Sequence, residues 1–153
     1  MTAHSASSHV ASDSPGHASA FMILRLFLGL RTLVAGLEKF EANKSFSFSN
    51  YYENMNRMAT GISGASILPV WATKSFALPL GYLLIALGLA ILLGVKTRLA
   101  LCLTGLVYVS LSFGLMAVQE GEGVAWIGMQ ILMFAFALTL VRYNRFALVA
   151  DKN

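Results

Sequence analysis

The chain has 153 residues, of which 57% are hydrophobic and 12% charged, and its formal net charge is +4. A mean hydropathy of +0.69 with long uncharged runs is incompatible with a soluble domain, whose helices need a polar face. The basic surplus sits at the ends of the apolar runs and forms no basic face, which argues against nucleic acid as a partner.

Cysteine and histidine narrow the chemistry further. Cys102 is the only cysteine, so an intramolecular disulfide or a CxxC thiol relay is excluded. His4, His9 and His17 all precede the first apolar run, so this chain alone does not hold a haem between helices.

Residues 1–19 (MTAHSASSHVASDSPGHAS) carry almost no large apolar side chain and read as a flexible tail that cannot offset its own ordering entropy. The tail has no basic n-region, which speaks against a cleaved signal peptide. A span of about 20–39 follows, holding Arg25, Arg31, Glu38 and Lys39. At roughly 100° per residue, Arg25, Gly29, Thr32, Gly36 and Lys39 share one stripe, and its small residues invite close approach of another backbone. Arg25 and Lys39 lie near the ends, where long side chains can reach the headgroups. Arg31 lies mid-span, roughly 120° from the stripe. Glu38 points nearly the same way two turns on, roughly 10 Å, which is long for a direct ion pair. An intramembrane arginine is costly against lipid tails, so Arg31 is expected to face the bundle interior or a ligand, with another subunit or a lipid headgroup as the remaining alternative.

Residues 41–76 form the only sizeable extramembrane connection. Ser49 is a candidate N-cap, and Tyr51, Met55, Met58 and Ile62 recur at helical spacing. A short amphipathic helix lying on the bilayer is predicted, with a lid over a pocket as the sharper alternative. Uncharged spans of about 77–95, 99–118 and 124–141 follow, joined by the tight loops KTR and QEGEG. Pro79 falls in the first turn of the second span, leaving the span interiors free of proline. Ala86, Ala90 and Gly94 make a small-residue ladder there, as do Ser110 and Gly114 on the third span. Thr104, Tyr108, Ser112, Gln130 and Thr139 are the polar groups inside the spans and are expected to bond between helices. Tyr82, Tyr108 and Gln130 join Arg31 and Glu38 as candidate ligand or subunit contacts.

The fold class is therefore all-α: an integral membrane four-helix bundle with a short amphipathic helix in the first extramembrane loop. Lys96, Arg98, Arg142, Arg145 and Lys152, together with Arg25, share one side. Lys39, Lys44, Arg57 and Lys74 on the other are offset by Glu38, Glu41, Glu53, Glu120 and Glu122. The positive-inside rule then places both termini in the cytoplasm. No metal cluster, Ser/His/Asp set or phosphate loop occurs in the spans, so no intrinsic catalytic activity is expected.

The pattern R-x3-G-x6-G-x2-K (Arg25, Gly29, Gly36, Lys39) resembles the start of the DoxX-like family of bacterial inner-membrane proteins. So does ALGLAILLGVKTRLA at 86–100, with Gly94 and Arg98 in a G-x-x-T-R turn. The likeness covers residues 20–150 as one four-helix domain. It departs where members often carry a glutamate early in the second helix, here Leu84 or a neighbour, and an aromatic in the first helix, here Thr32. The resemblance implies an accessory or structural subunit of a larger membrane redox or respiratory complex. It implies the bilayer and other membrane subunits as partners, no intrinsic cofactor, and a quinone at an interface as the one ligand brought in. A DoxD-type quinone-linked oxidoreductase subunit is the alternative, and a small-solute carrier the second. The absence of interior prolines and internal repeats tells against a carrier.

Overall fold

The computed structural model describes residues 15–42 and 44–144. Helix α1 (Pro15–Leu37) runs into a 3-10 turn (Glu38–Phe40). A hairpin of β1 (Glu41–Ala42) and β2 (Ser45–Phe46) leads to α2 (Phe48–Ala65), and α3 (Val70–Leu93), α4 (Thr97–Ala117) and α5 (Gly121–Leu140) follow. Gly16–Phe40, Val70–Leu93, Thr97–Ala117 and Gly121–Tyr143 are long and apolar enough to cross a membrane. The predicted all-α bundle with an extra helix in its first loop is the architecture found.

Lipid is as apolar as leucine, so helices in a bilayer associate by close packing rather than by escape from water. The closest packing joins α1 to α3. A Cβ on Gly29 would lie 2.8 Å from Leu92 Cγ, and one on Gly36 would lie 2.9 Å from the Gly81 carbonyl. From the opposite side, a Cβ on Gly88 would lie 2.6 Å from the Leu33 nitrogen. The two backbones interlock, and Gly88 admits no side chain without moving α1. The next most extensive pairing is α4 with α5. Between the two pairs, Gly94 ends α3 in the left-handed conformation (φ 72°). The Val95 N–H reaches the Ala90 carbonyl at 2.9 Å, the six-to-one bond of a Schellman turn.

Several expectations are corrected. Helix α1 begins at Pro15, so residues 15–19 continue the first span; residues 1–14, Arg145 and Lys152 lie outside the described residues. Helix α3 begins at Val70, because VWATKSF extends the apolar run after Pro69, which stands at the N-cap. Pro79 is consequently well inside the helix, and the proline-free interior that told against a carrier is not a property of this bundle. On α3 the seam residues are Gly81, Ile85, Gly88 and Leu92, whereas Ala86 is exposed. Thr104 and Thr139, expected to bond between helices, return their hydroxyls to carbonyls of their own helices, as Thr32 and Ser110 also do.

Helix α2 is capped by Ser47, whose hydroxyl accepts the Asn50 N–H at 3.1 Å; Ser49 instead bonds Ser47 Oγ. Tyr51, Met55 and Ala59 are its buried face, packed mainly against α3. The anchor is Tyr51. Its hydroxyl donates to the Leu78 carbonyl and accepts the Gly81 N–H at 3.2 Å, in the stretch where Pro79 removes a backbone donor. A Cβ on Gly81 would lie 2.5 Å from the Tyr51 ring, which only glycine admits. Burial pushes the Tyr51 phenol above its ordinary pKa, keeping it protonated at neutral pH.

Candidate functional site

At the Pro15 end the bundle is tied shut. Arg25 is 5% exposed, and its Nη1 donates to Asn144 Oδ1 at 2.8 Å. Asn144 Nδ2 in turn donates to the buried Thr97 hydroxyl at 2.9 Å, and His17 stacks on Tyr143. One polar chain thus joins α1, the residue after the 3-10 turn that ends α5, and the first turn of α4. The earlier start of α1 puts Arg25 about 15 Å from the helix end, too deep for the headgroup contact expected of it.

Toward α2 the helices part around a cleft of about 990 Å³, large enough for a drug-sized ligand. Its walls come from the second half of α1, α3 as far as Leu84, the second half of α4 and the first half of α5, with Arg57, Met58, Gly61 and Ile62 of α2 above. The walls are mostly apolar, with Phe76, Leu84, Phe113 and Ile127 prominent. Leu84 contributes to this apolar wall. Gly114 lets α2 come close, since a Cβ there would lie 3.1 Å from Ile62 Cδ1.

Of the candidate contacts, Arg31, Glu38, Tyr108 and Gln130 line this cleft and Tyr82 does not. Tyr82 stands with Phe40 and Tyr51 in an aromatic cluster, its ring centroid 5.3 Å and 4.9 Å from theirs. Arg31 Nη1 lies 3.8 Å from Glu38 Oε2, both side chains remaining substantially exposed. The expected gap of two turns is closed because both flexible side chains extend along the same helix face. Lys39 lines the same rim, and Arg57 above it pairs with Glu53 at 3.0 Å.

Tyr108 is the unusual member. It is 3% exposed, its ring lies against Phe134, and its buried hydroxyl has, among the described residues, only the Thr32 hydroxyl beside it, outside good hydrogen-bond geometry. Thr32 beside it turns its hydroxyl to the Leu28 carbonyl at 2.7 Å. A buried hydroxyl without a partner is costly, and such groups call for a physical reason. Among the described residues no group of His, Cys, Asp and Glu could hold a metal ion. The cleft presents the donors of Arg31, Tyr108 and Gln130 and the Glu38 carboxylate within apolar walls, the chemistry of holding an amphiphile.

Of the other sequence candidates, Gly29 and Gly36 face α3, Thr32 is fully buried, Gly94 makes the turn and Arg98 is exposed. Reading the sequence missed Asn144, Thr97 and the Tyr51 latch. Only an Asn just beyond an apolar run, and Gly81 and Gly88 seven apart, could have signalled them.

The fold and the cleft define a multi-pass membrane protein with a recess inside its bundle. The DoxX family model matches residues 20–117, from α1 through α4, and the chain belongs to the DoxX family. Helix α5, with Gln130, lies beyond the match. No curated protein and no solved structure matches the chain.

Proposed function

We propose that this chain is a non-catalytic accessory subunit of a larger membrane redox or respiratory complex in the bacterial inner membrane, and that its cleft borders a quinone site. The observation that carries the reading is the poorly paired Tyr108 hydroxyl, with only the Thr32 hydroxyl beside it, in an apolar recess it shares with Arg31 and Gln130. Neutral carbonyl oxygens accept hydrogen bonds from such donors, and apolar walls suit a ring and an alkyl tail. Both termini face the cytoplasm, following the basic residues of the short loops.

The test is purification in mild detergent, with identification of co-purifying subunits and solvent extraction of bound quinone. The expected result is at least one membrane partner and quinone above the level of empty detergent, reduced in Tyr108→Phe and Arg31→Leu. Neither partner nor quinone would overturn the proposal. Reporter fusions at Gly121 and at the C-terminus should report opposite sides of the membrane; the same side for both would remove a span.

A further inference from the structure

A second hollow, about 250 Å³, lies between α1 and α5 and is lined by Phe27, Arg31, Trp126, Met129, Gln130 and Met133. Arg31, Trp126 and Gln130 also line the main cleft, so the two meet at these residues. The side chains follow an order along the gap. Lys39 and Glu38 line the main cleft at its α2 end, and Arg31, which lines both hollows, begins two turns deeper. The Arg31 guanidinium extends back toward that end, as its contact with Glu38 shows. Below it Phe27, Met129 and Met133 form an apolar furrow running toward the closed end of the bundle.

Cations toward the membrane surface with an apolar furrow beneath them repeat the order of headgroup and acyl chain in one leaflet. The charges at the head of the gap do not cancel: Arg31 and Lys39 share the single carboxylate Glu38 there, and Arg57 already has Glu53. An exposed intramembrane arginine is stabilised when it reaches a phosphate at the interface. A zwitterionic head would bring a competing cation of its own, whereas an acidic head would neutralise the surplus.

We propose that an acidic phospholipid seats in the gap between α1 and α5, its phosphate on Arg31 and Lys39 and one acyl chain along Phe27, Met129 and Met133. The lipid closes laterally what α2 covers from above. This goes beyond the quinone reading: the two share Arg31, but the lipid site adds Lys39 and the lateral furrow and does not involve Tyr108.

Native mass spectrometry of the full chain in a neutral detergent tests it, with phosphatidylglycerol and phosphatidylcholine of identical acyl chains as probes. Two cations near the surface should favour phosphatidylglycerol on the order of tenfold. Arg31→Gln and Lys39→Gln should each weaken that preference, Arg31→Lys should keep it, and Met133→Trp should reduce retention of both lipids by filling the furrow. Equal retention of the two lipids by the wild type would overturn the proposal. So would an unchanged preference in both Gln variants, or unchanged retention in Met133→Trp. A thermal melt identifies any variant that fails to fold, and the remaining variants then decide. Loss of the lipid preference with quinone still bound would sink this inference alone, and lipid preference without quinone would sink only the other.

Discussion

At the Pro15 end Arg25 of α1 is tied through Asn144, just beyond α5, to Thr97 of α4, while toward α2 the helices α1 and α5 part with Arg31 and Gln130 facing the opening. Both ends place an arginine of α1 inside a span, and the two arginines differ in how they are satisfied. Arg25 is buried and bonded to a residue far along the chain, which binds the elements together. Arg31 keeps a loose contact within its own segment and much of its surface free. A buried, cross-bonded charge holds structure, whereas an exposed charge in a recess is available to a ligand.

The comparison would break most visibly at the α1–α3 seam, on which both ends depend. Gly88→Leu would drive a side chain into the α1 backbone, and overpacking of this kind costs about 1–3 kcal/mol or more. A melt of the detergent-extracted protein should show a large loss, and a normal melt would mean that α1 can move aside.

The closed end comes next. Asn144→Ala removes the acceptor of a charged donor, a loss of about 1.5–3 kcal/mol. Quinone and lipid retention should survive at temperatures where the variant stays folded. If Asn144→Ala melts like wild type, the tie at this end contributes nothing.

Tyr51→Phe should cost about 1 kcal/mol, the net worth of an ordinary hydrogen bond, and should show as faster proteolysis of α2. The phenol's pKa is raised in the folded state, so its contribution is fully present below the unfolded value near 10 and is lost as pH rises through the higher folded value. Docking of α2 should therefore hold steady from neutral pH to about 9 and weaken only above about 10. A loss of docking between pH 7 and 9 would assign the latch to another group.

The smallest stability effect is expected at the open end. Tyr108→Phe deletes a hydroxyl whose neighbour Thr32 already donates to the Leu28 carbonyl, so the melt should stay within about 0.5 kcal/mol of wild type or rise, while quinone retention falls. A clear destabilisation would show that Tyr108 is bonded, and the two ends would then be alike.

The number of spans, the all-α class and the family were legible in the chain because each depends on local quantities. Apolar length decides whether a helix can cross, and the spacing of Arg25, Gly29, Gly36 and Lys39 survives any detail of packing. The glycine stripe could be placed on one face from the helical period alone. Its partner residues could not, since Ala86 and Gly88 are equally small and only the rotation of α3 turns Gly88 toward Leu33. The start of α3 was misplaced because Pro79 looked like a first-turn proline, although the apolar run continues before it to Val70.

Residue chemistry and period thus determined by themselves that four helices cross, that α1 carries charges within the bilayer, and which of its faces is small. Which arginine is buried and which lies open was decided only by the tertiary structure. Burial depends on what stands opposite, and Asn144 and Thr97 come to Arg25 from distant parts of the chain, as Tyr108 and Gln130 come to the cleft. Contacts between residues so far apart are set by helix rotation, tilt and the point where two helices part, none of which a local pattern encodes.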